Sequence, residues 1–198
     1  AHQQQPAARV QRQHLHHPQP ALLAAEAAGA QRSRVLKVRD ASMDSARTDL
    51  GAEELAALDP ELADFLAIWD ERRAGRDIPC RADFLPEDFR SHLGYINVVE
   101  PGPGDSYRYR LVGTAIAQAV GRDVTGLTLE QIYSGRAAGS GRRILDLASG
   151  QRRPVYCDGT LEASGKDWLG FRMLVVPMDG PDGRVVRLFA RMSFPNLG

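Results

Sequence analysis

Histidine is almost missing from the body of this 198-residue chain: four of the five, His2, His14, His16 and His17, precede residue 18, leaving only His92. A nucleophile–histidine–acid triad therefore has no obvious base in the central region, and a histidine metal centre has only an unframed N-terminal cluster to draw on. Cysteine is as sparse. Cys80 and Cys157 are far apart and match no paired metal or redox spacing. They read as buried free thiols in a reducing compartment, with a single disulfide as the alternative. No apolar run approaches the roughly 18–20 residues that a membrane span needs. HExxH, GxSxG and Walker motifs are all lacking. Net charge is zero, and residues 43–198 carry nineteen Arg/Lys against twenty-three Asp/Glu. So mildly acidic a body gives no reason to expect a nucleic-acid partner.

Aromatics are absent from residues 1–42, which are rich in Gln, His, Ala and Arg and carry six Arg/Lys against two Asp/Glu. Such a composition cannot bury enough surface to offset ordering entropy, so most of it is expected to be a disordered, low-complexity extension. Ala21 to Ala30 could form a marginal helix but not a convincing signal peptide, since its apolar run is short and interrupted by Glu26. Met43 stands where composition turns globular and is expected to be the functional start.

Globular signals begin at Asp59, an N-cap followed by Pro60. Leu62, Phe65, Leu66 and Trp69 recur at helical spacing, and Arg72, Arg73 and Gly75 suit a helix end. This helix belongs to a segment spanning 43–93. Its stripe must pack on its own domain or on a second copy, and the four residues are the candidate partner or dimer interface. Pro79 and Pro86 punctuate the linker that follows. An Arg81–Asp83 ion pair there is expected to be a solvated one.

From residue 94 to 194 the pattern is strand and turn around one helical stretch. Gly94 to Glu100 and Tyr107 to Val112 flank the turn cluster PGPGDS and predict an antiparallel hairpin. In YRYRLV, Tyr107, Tyr109 and Leu111 alternate with Arg108 and Arg110, giving one apolar and one charged face. The chain turns at Gly113-Thr114, where glycine offers backbone freedom and Thr114 a cap. A short helix with Ile116, Ala119 and Val120 on one side then stops at Gly121. Leu127 to Tyr133 predicts one or two helical turns, and Arg136 to Ser149 a longer helix. Three strands complete the pattern: Arg153 to Ala163, Trp168 to Met178 and Arg184 to Phe194, joined through SGKD and DGPDG. The fold class is α+β: a five-stranded antiparallel sheet with helices on one face, preceded by an N-terminal amphipathic helix.

The order β-β-α-α-α-β-β-β is that of a PAS domain. RRAGRDIPCRADFLPEDF (Arg72 to Phe89), YRLVGT (Tyr109 to Thr114) and GRDVTG (Gly121 to Gly126) resemble the short bacterial PAS proteins of the PAS_5 (DUF1457) family, over about residues 60–194. The resemblance implies a sheet of order 2-1-5-4-3 and a cavity between sheet and helices that binds a small molecule or stays packed. It also implies a regulatory domain, cytoplasmic, often dimeric and without catalysis of its own.

By alternation, Tyr109, Leu111, Phe171 and Met173 are the candidate cavity residues, with plain core packing as the competing reading. No cofactor is expected. The helices lack the reactive cysteine of flavin light sensors, and His92 precedes the first strand, where a surface or helix-end histidine is expected rather than a haem ligand. Asp158 and Glu162 share a strand face, but an exposed acidic face outweighs an acid–base pair. Arg136, Arg142 and Arg143 read as a solvated face, with an anion or acidic-partner site second. The leading reading is a non-catalytic sensory module, acting as a homodimer on a separate signalling protein. The alternatives are a pure dimerisation scaffold with a packed core and, less favoured, a small hydrolase or isomerase.

Overall fold

The computed structural model describes residues 34–38 and 47–195. The Ala21 to Ala30 helix, the four N-terminal histidines and Met43 fall outside the described residues.

The elements in chain order are β1 (Leu36–Val38), β2 (Arg47–Asp49), α1 (Ala52–Ala56), α2 (Pro60–Arg73), β3 (Ile96–Pro101), β4 (Tyr107–Val112), α3 (Thr114–Val120), α4 (Leu129–Ile132), α5 (Gly135–Gln151), β5 (Val155–Leu161), β6 (Lys166–Asp179) and β7 (Val185–Ser193). Short 3₁₀ turns at Arg81–Asp83, Pro86–Phe89 and Leu93–Tyr95 carry the chain from α2 to β3. The described strands form one sheet of order β2-β1-β5-β6-β7-β3-β4. Numbered from β3, the last five strands keep the 2-1-5-4-3 order and pair antiparallel throughout.

The sheet departs from expectation at its other edge. It has seven strands rather than five, because β1 pairs parallel with β5 and β2 pairs antiparallel with β1. Leu36–Val38 lies inside the 1–42 stretch. Val35, Leu36, Val38 and Leu50 are buried in the cores, and Arg153 ties the added pair down through Asp49 and the Arg34 carbonyl. A three-residue strand is too short to show alternation in a charged context, and its apolar residues gain burial only because β5 offers an open edge.

Helices cover both faces, not one. On the inner face, α3, α4 and α5 pack over Val155, Cys157, Val175, Leu188, Ala190 and Met192. On the outer face, Leu62, Phe65 and Trp69 of α2 pack with Phe84 and Phe89 of the linker against Ile96, Leu174, Val176, Met178 and Phe189. The reason lies in β6, where Leu174, Val175 and Val176 are consecutive and all fully buried. A central strand apolar on both faces needs a cover on both. Each fully buried α2 side chain contributes about 1.5–3 kcal/mol of transfer free energy. The Trp69 indole N–H donates to the Pro177 carbonyl at 2.8 Å.

Leu62, Phe65 and Trp69 are thus spent on this chain's own sheet, and Leu66 is half-buried against the same core. This corrects the assignment of Leu62, Phe65 and Trp69 to an interface: the periodicity gives α2 an apolar stripe but not the identity of what covers it. Asp59 does occupy the N-cap of α2, with Pro60 next to it as expected. Its carboxylate makes no cap bond and instead reaches Arg172 and Ser193 on the sheet, pinning the start of α2. In the linker, Asp83 accepts from Arg76 and from the Cys80 backbone N–H, not from Arg81.

At the turn into α3, Gly113 has an ordinary φ of −62° and itself occupies the N-cap, with Thr114 the first helical residue and no side-chain cap bond. Glycine is needed there for space, since a Cβ would stand 2.4 Å from the Gly94 carbonyl oxygen. Gly121 does close α3 in the left-handed region, as expected.

Candidate functional site

Between the inner face and its helices the packing is uneven. Near β1, α5 seals the sheet with Ile144, Leu145, Leu147 and Ala148, all buried. Its first two turns carry instead Gly135, Arg136, Ala137, Ala138, Gly139, Ser140 and Gly141. Gly141 there lies against the buried Leu129 of α4, and Tyr109, Tyr133, Phe171 and Met173, packed against the same core, stay half-buried. Phe171 and Met173 also touch the α3 cluster, so they lie where the α5 and α3 coverings meet. Gly159, on the neighbouring strand, faces Phe171, and a Cβ there would lie 3.3 Å from that ring.

Three of the four cavity candidates therefore share the inner face. Leu111 does not. The β3–β4 register shifts between Val98 and Val99, so that Val98 pairs with Leu111 while Val99 pairs with Tyr109. Val98 packs with the outer core, so its cross-strand partner Leu111 shares that face, 38% exposed on the edge strand. Val112 takes the inward position. A bulge flips the alternation beyond it, and YRYRLV alone carries no sign of one.

The inner face also holds a polar residue with no counterpart among the sequence candidates. Asn97 is buried beside Ala190 and Val112, its amide N–H₂ 3.9 Å from the Met192 sulfur and its side-chain carbonyl without a partner among the described residues. An unsatisfied buried carbonyl costs about 1–3 kcal/mol, so a ligand donor or a water there would be favoured. The only hint in the sequence is an Asn inside the apolar run YINVVE.

The titratable groups of this face are held neutral. Burial raises the Tyr109 and Tyr133 hydroxyls above the ordinary tyrosine range. Burial raises Tyr107 too, reinforced by its 2.7 Å hydrogen bond to Asp146. The Cys157 thiol is pushed up to about 12, again by burial, which leaves it protonated and unreactive. Both described cysteines are free, Cys157 buried and Cys80 half-buried at the Asp179 bridge.

The outer face carries a second buried polar group. His92 does sit at a helix end, heading the Leu93–Tyr95 turn, but it is 2% exposed rather than at the surface. Its Nε2 meets Asp64 at 3.0 Å, and Arg191 Nε donates to its Nδ1 at 3.3 Å. Burial, then the Arg191 charge, lowers the His92 pKa, against the opposing pull of Asp64 and Glu61. A neutral imidazole accepting at Nδ1 and donating at Nε2 satisfies both contacts.

No enzymatic constellation assembles from the other expected residues. Asp158 is exposed on β5, whereas Glu162 has left the strand in a 3₁₀ turn, so the two do not share a strand face. Arg142 pairs with Glu130 and donates to the Asp105 carbonyl. Among the described residues, no group of three or more His, Cys, Asp or Glu could hold a metal ion, and no helix is long and apolar enough to cross a membrane.

The family model described as a PAS domain, PAS_5, matches residues 58–193. No curated protein matches the chain.

Proposed function

The chain belongs to the PAS_5 family of PAS domains, and from that premise we propose that it is a non-catalytic sensor whose inner face takes a small, mainly apolar molecule. The observation that supports this is the half-buried set Tyr109, Tyr133, Phe171 and Met173 on the inner core, with an Asn97 carbonyl on the same face that has no partner among the described residues. Aromatic and thioether walls supply shape and dispersion, and one amide supplies direction, as is common in small-molecule sites. The buried tyrosine hydroxyls and Asn97 can donate and accept hydrogen bonds, but no base or nucleophile stands among them. Chemistry on the ligand is not part of the proposal.

A ligand in this position would bear on α3 and α5 and so alter the surface offered to a separate signalling protein, provided that it binds the two states unequally. Homodimerisation and a bacterial cytoplasmic setting belong to the same proposal.

The test is a thermal-shift screen of host metabolite fractions against the full chain. A ligand at about a hundred times its Kd stabilises by about 2.7 kcal/mol. For a domain of this size that raises the Tm by about 5–10 °C. The shift should shrink in Met173→Trp, which fills the site, and in Asn97→Leu, which removes the polar anchor. No active fraction, or equal shifts in both variants, would sink the reading in favour of a packed scaffold.

A further inference from the structure

Arg191 is the least explained charge in the fold. It lies on β7 between Phe189 and Ser193, on the outer face, and is 4% exposed. Its only hydrogen bond among the described residues is the one from Nε to neutral His92; Nη1 has no partner there. The guanidinium stacks on Tyr95, 4.6 Å from the ring centroid. No carboxylate among the described residues forms a salt bridge with it. Asp59 is committed to Arg172 and Ser193, and Asp64 to His92. Glu61 and Asp59 are near enough to act on its charge but neither bonds it; a buried guanidinium with no carboxylate in direct contact is costly, and a carboxylate is the partner whose geometry suits it best.

Arg191 also lines a cleft of about 780 Å³ at the end of the sheet. The start of α2, the Tyr95 turn, one side of α3 and the ends of β6 and β7 enclose it. Its apolar wall includes Tyr95, Trp168, Leu169 and Phe194. Trp168 is 64% exposed, the most exposed large hydrophobic residue of the described chain. The other cation on the rim, Lys166, is spent on the Ala119 and Gln118 carbonyls at the end of α3. Asp59 and Glu61 stand on the same rim. With Asp59 already paired to Arg172, Arg191 and Glu61 leave the rim near neutral, which accepts a monoanion on Arg191 more readily than a doubly charged phosphate.

We propose that this cleft binds a small organic monocarboxylate, its carboxylate on Arg191 and its apolar or aromatic body against Trp168 and Tyr95. Arg191 lies on the opposite face of the sheet from Tyr109, Phe171 and Met173, the cleft opens at the end of the sheet, and the proposal stands whether or not the inner face takes a ligand. The α3 helix walls the cleft through Ala115, Gln118 and Ala119 and packs its Ile116 onto the inner core. Occupancy of the cleft is thereby felt by the helix that also borders the inner site.

The experiment is a titration of the full chain with benzoate and hexanoate, with benzamide and inorganic phosphate as controls, followed by calorimetry and by intrinsic tryptophan fluorescence, to which the buried Trp69 also contributes. A saturable response to at least one carboxylate is expected, with both controls weaker by about tenfold or more, the loss of one charge-assisted hydrogen bond. Arg191→Met should lose binding to about the same degree. Because this variant changes a buried residue, Trp168→Ala is the second test: the position is exposed, and it should weaken the carboxylate several-fold with the fold intact by circular dichroism. No saturable response up to about 10 mM, equal binding of benzamide or phosphate, or undiminished affinity in Trp168→Ala would each overturn the proposal.

Discussion

Replacing Trp69 by alanine should unfold this domain far more readily without acting on a partner surface. Trp69 is fully buried against Val176, Met178 and their neighbours, and its indole N–H satisfies the Pro177 carbonyl. Truncating a buried tryptophan costs about 3–5 kcal/mol, because the cavity cannot fully collapse. Trp69→Phe keeps a ring but leaves Pro177 without its donor, for about 1–3 kcal/mol. With a urea m-value of about 2 kcal/mol/M, a loss of about 4 kcal/mol lowers the unfolding midpoint by about 2 M. Equilibrium urea unfolding followed by circular dichroism reads this directly, with size-exclusion chromatography of the same samples beside it. The expected ranking is wild type, then Trp69→Phe, then Trp69→Ala. Unchanged midpoints together with lost self-association would refute the placement of α2 on its own sheet.

Two further perturbations probe the edges of the account. Removing residues 1–42 strips β1 and bares the edge of β5; the β1-facing amides within Val155–Cys157 should then lose hydrogen-exchange protection, whereas full protection would mean that β1 contributes nothing to the sheet. His92 is buried with its pKa lowered, facing Asp64 and Glu61 from α2 and Arg191 from β7. Protons therefore bind the unfolded chain first: the His92 contribution is complete above the unfolded value of about 6.5 and declines as pH falls below it toward the folded pKa. Urea midpoints should drop as the pH falls below about 6.5, and His92→Gln should flatten that slope; an unaltered slope would place its origin elsewhere.

Much of the fold is legible in the sequence because alternation and turn chemistry agree there. β3 to β7, the DGPDG turn and the Gly121 cap all follow from local pattern, and α5 runs only a residue or two beyond its expected ends. What escapes is set by tertiary context. β1 is three residues that become a strand only because β5 has a free edge. α2 shows its apolar stripe but not its cover, although the unbroken apolar run of β6 called for a second layer. Leu111 is lost to a bulge that leaves no compositional mark. The candidate sites are less legible still. Asn97 and Arg191 are single polar residues inside apolar strands, and what singles them out is a missing partner, which only the packed structure reveals.

The most direct test of the central claim is native mass spectrometry of the full chain purified from its own host, in wild-type and Met173→Trp forms. A stoichiometric non-covalent small-molecule mass on the wild type, lost when the larger indole of the Met173→Trp variant fills the inner face, is the expected result. A bare chain, or an adduct that Met173→Trp retains unchanged, would contradict an inner face built to hold a ligand.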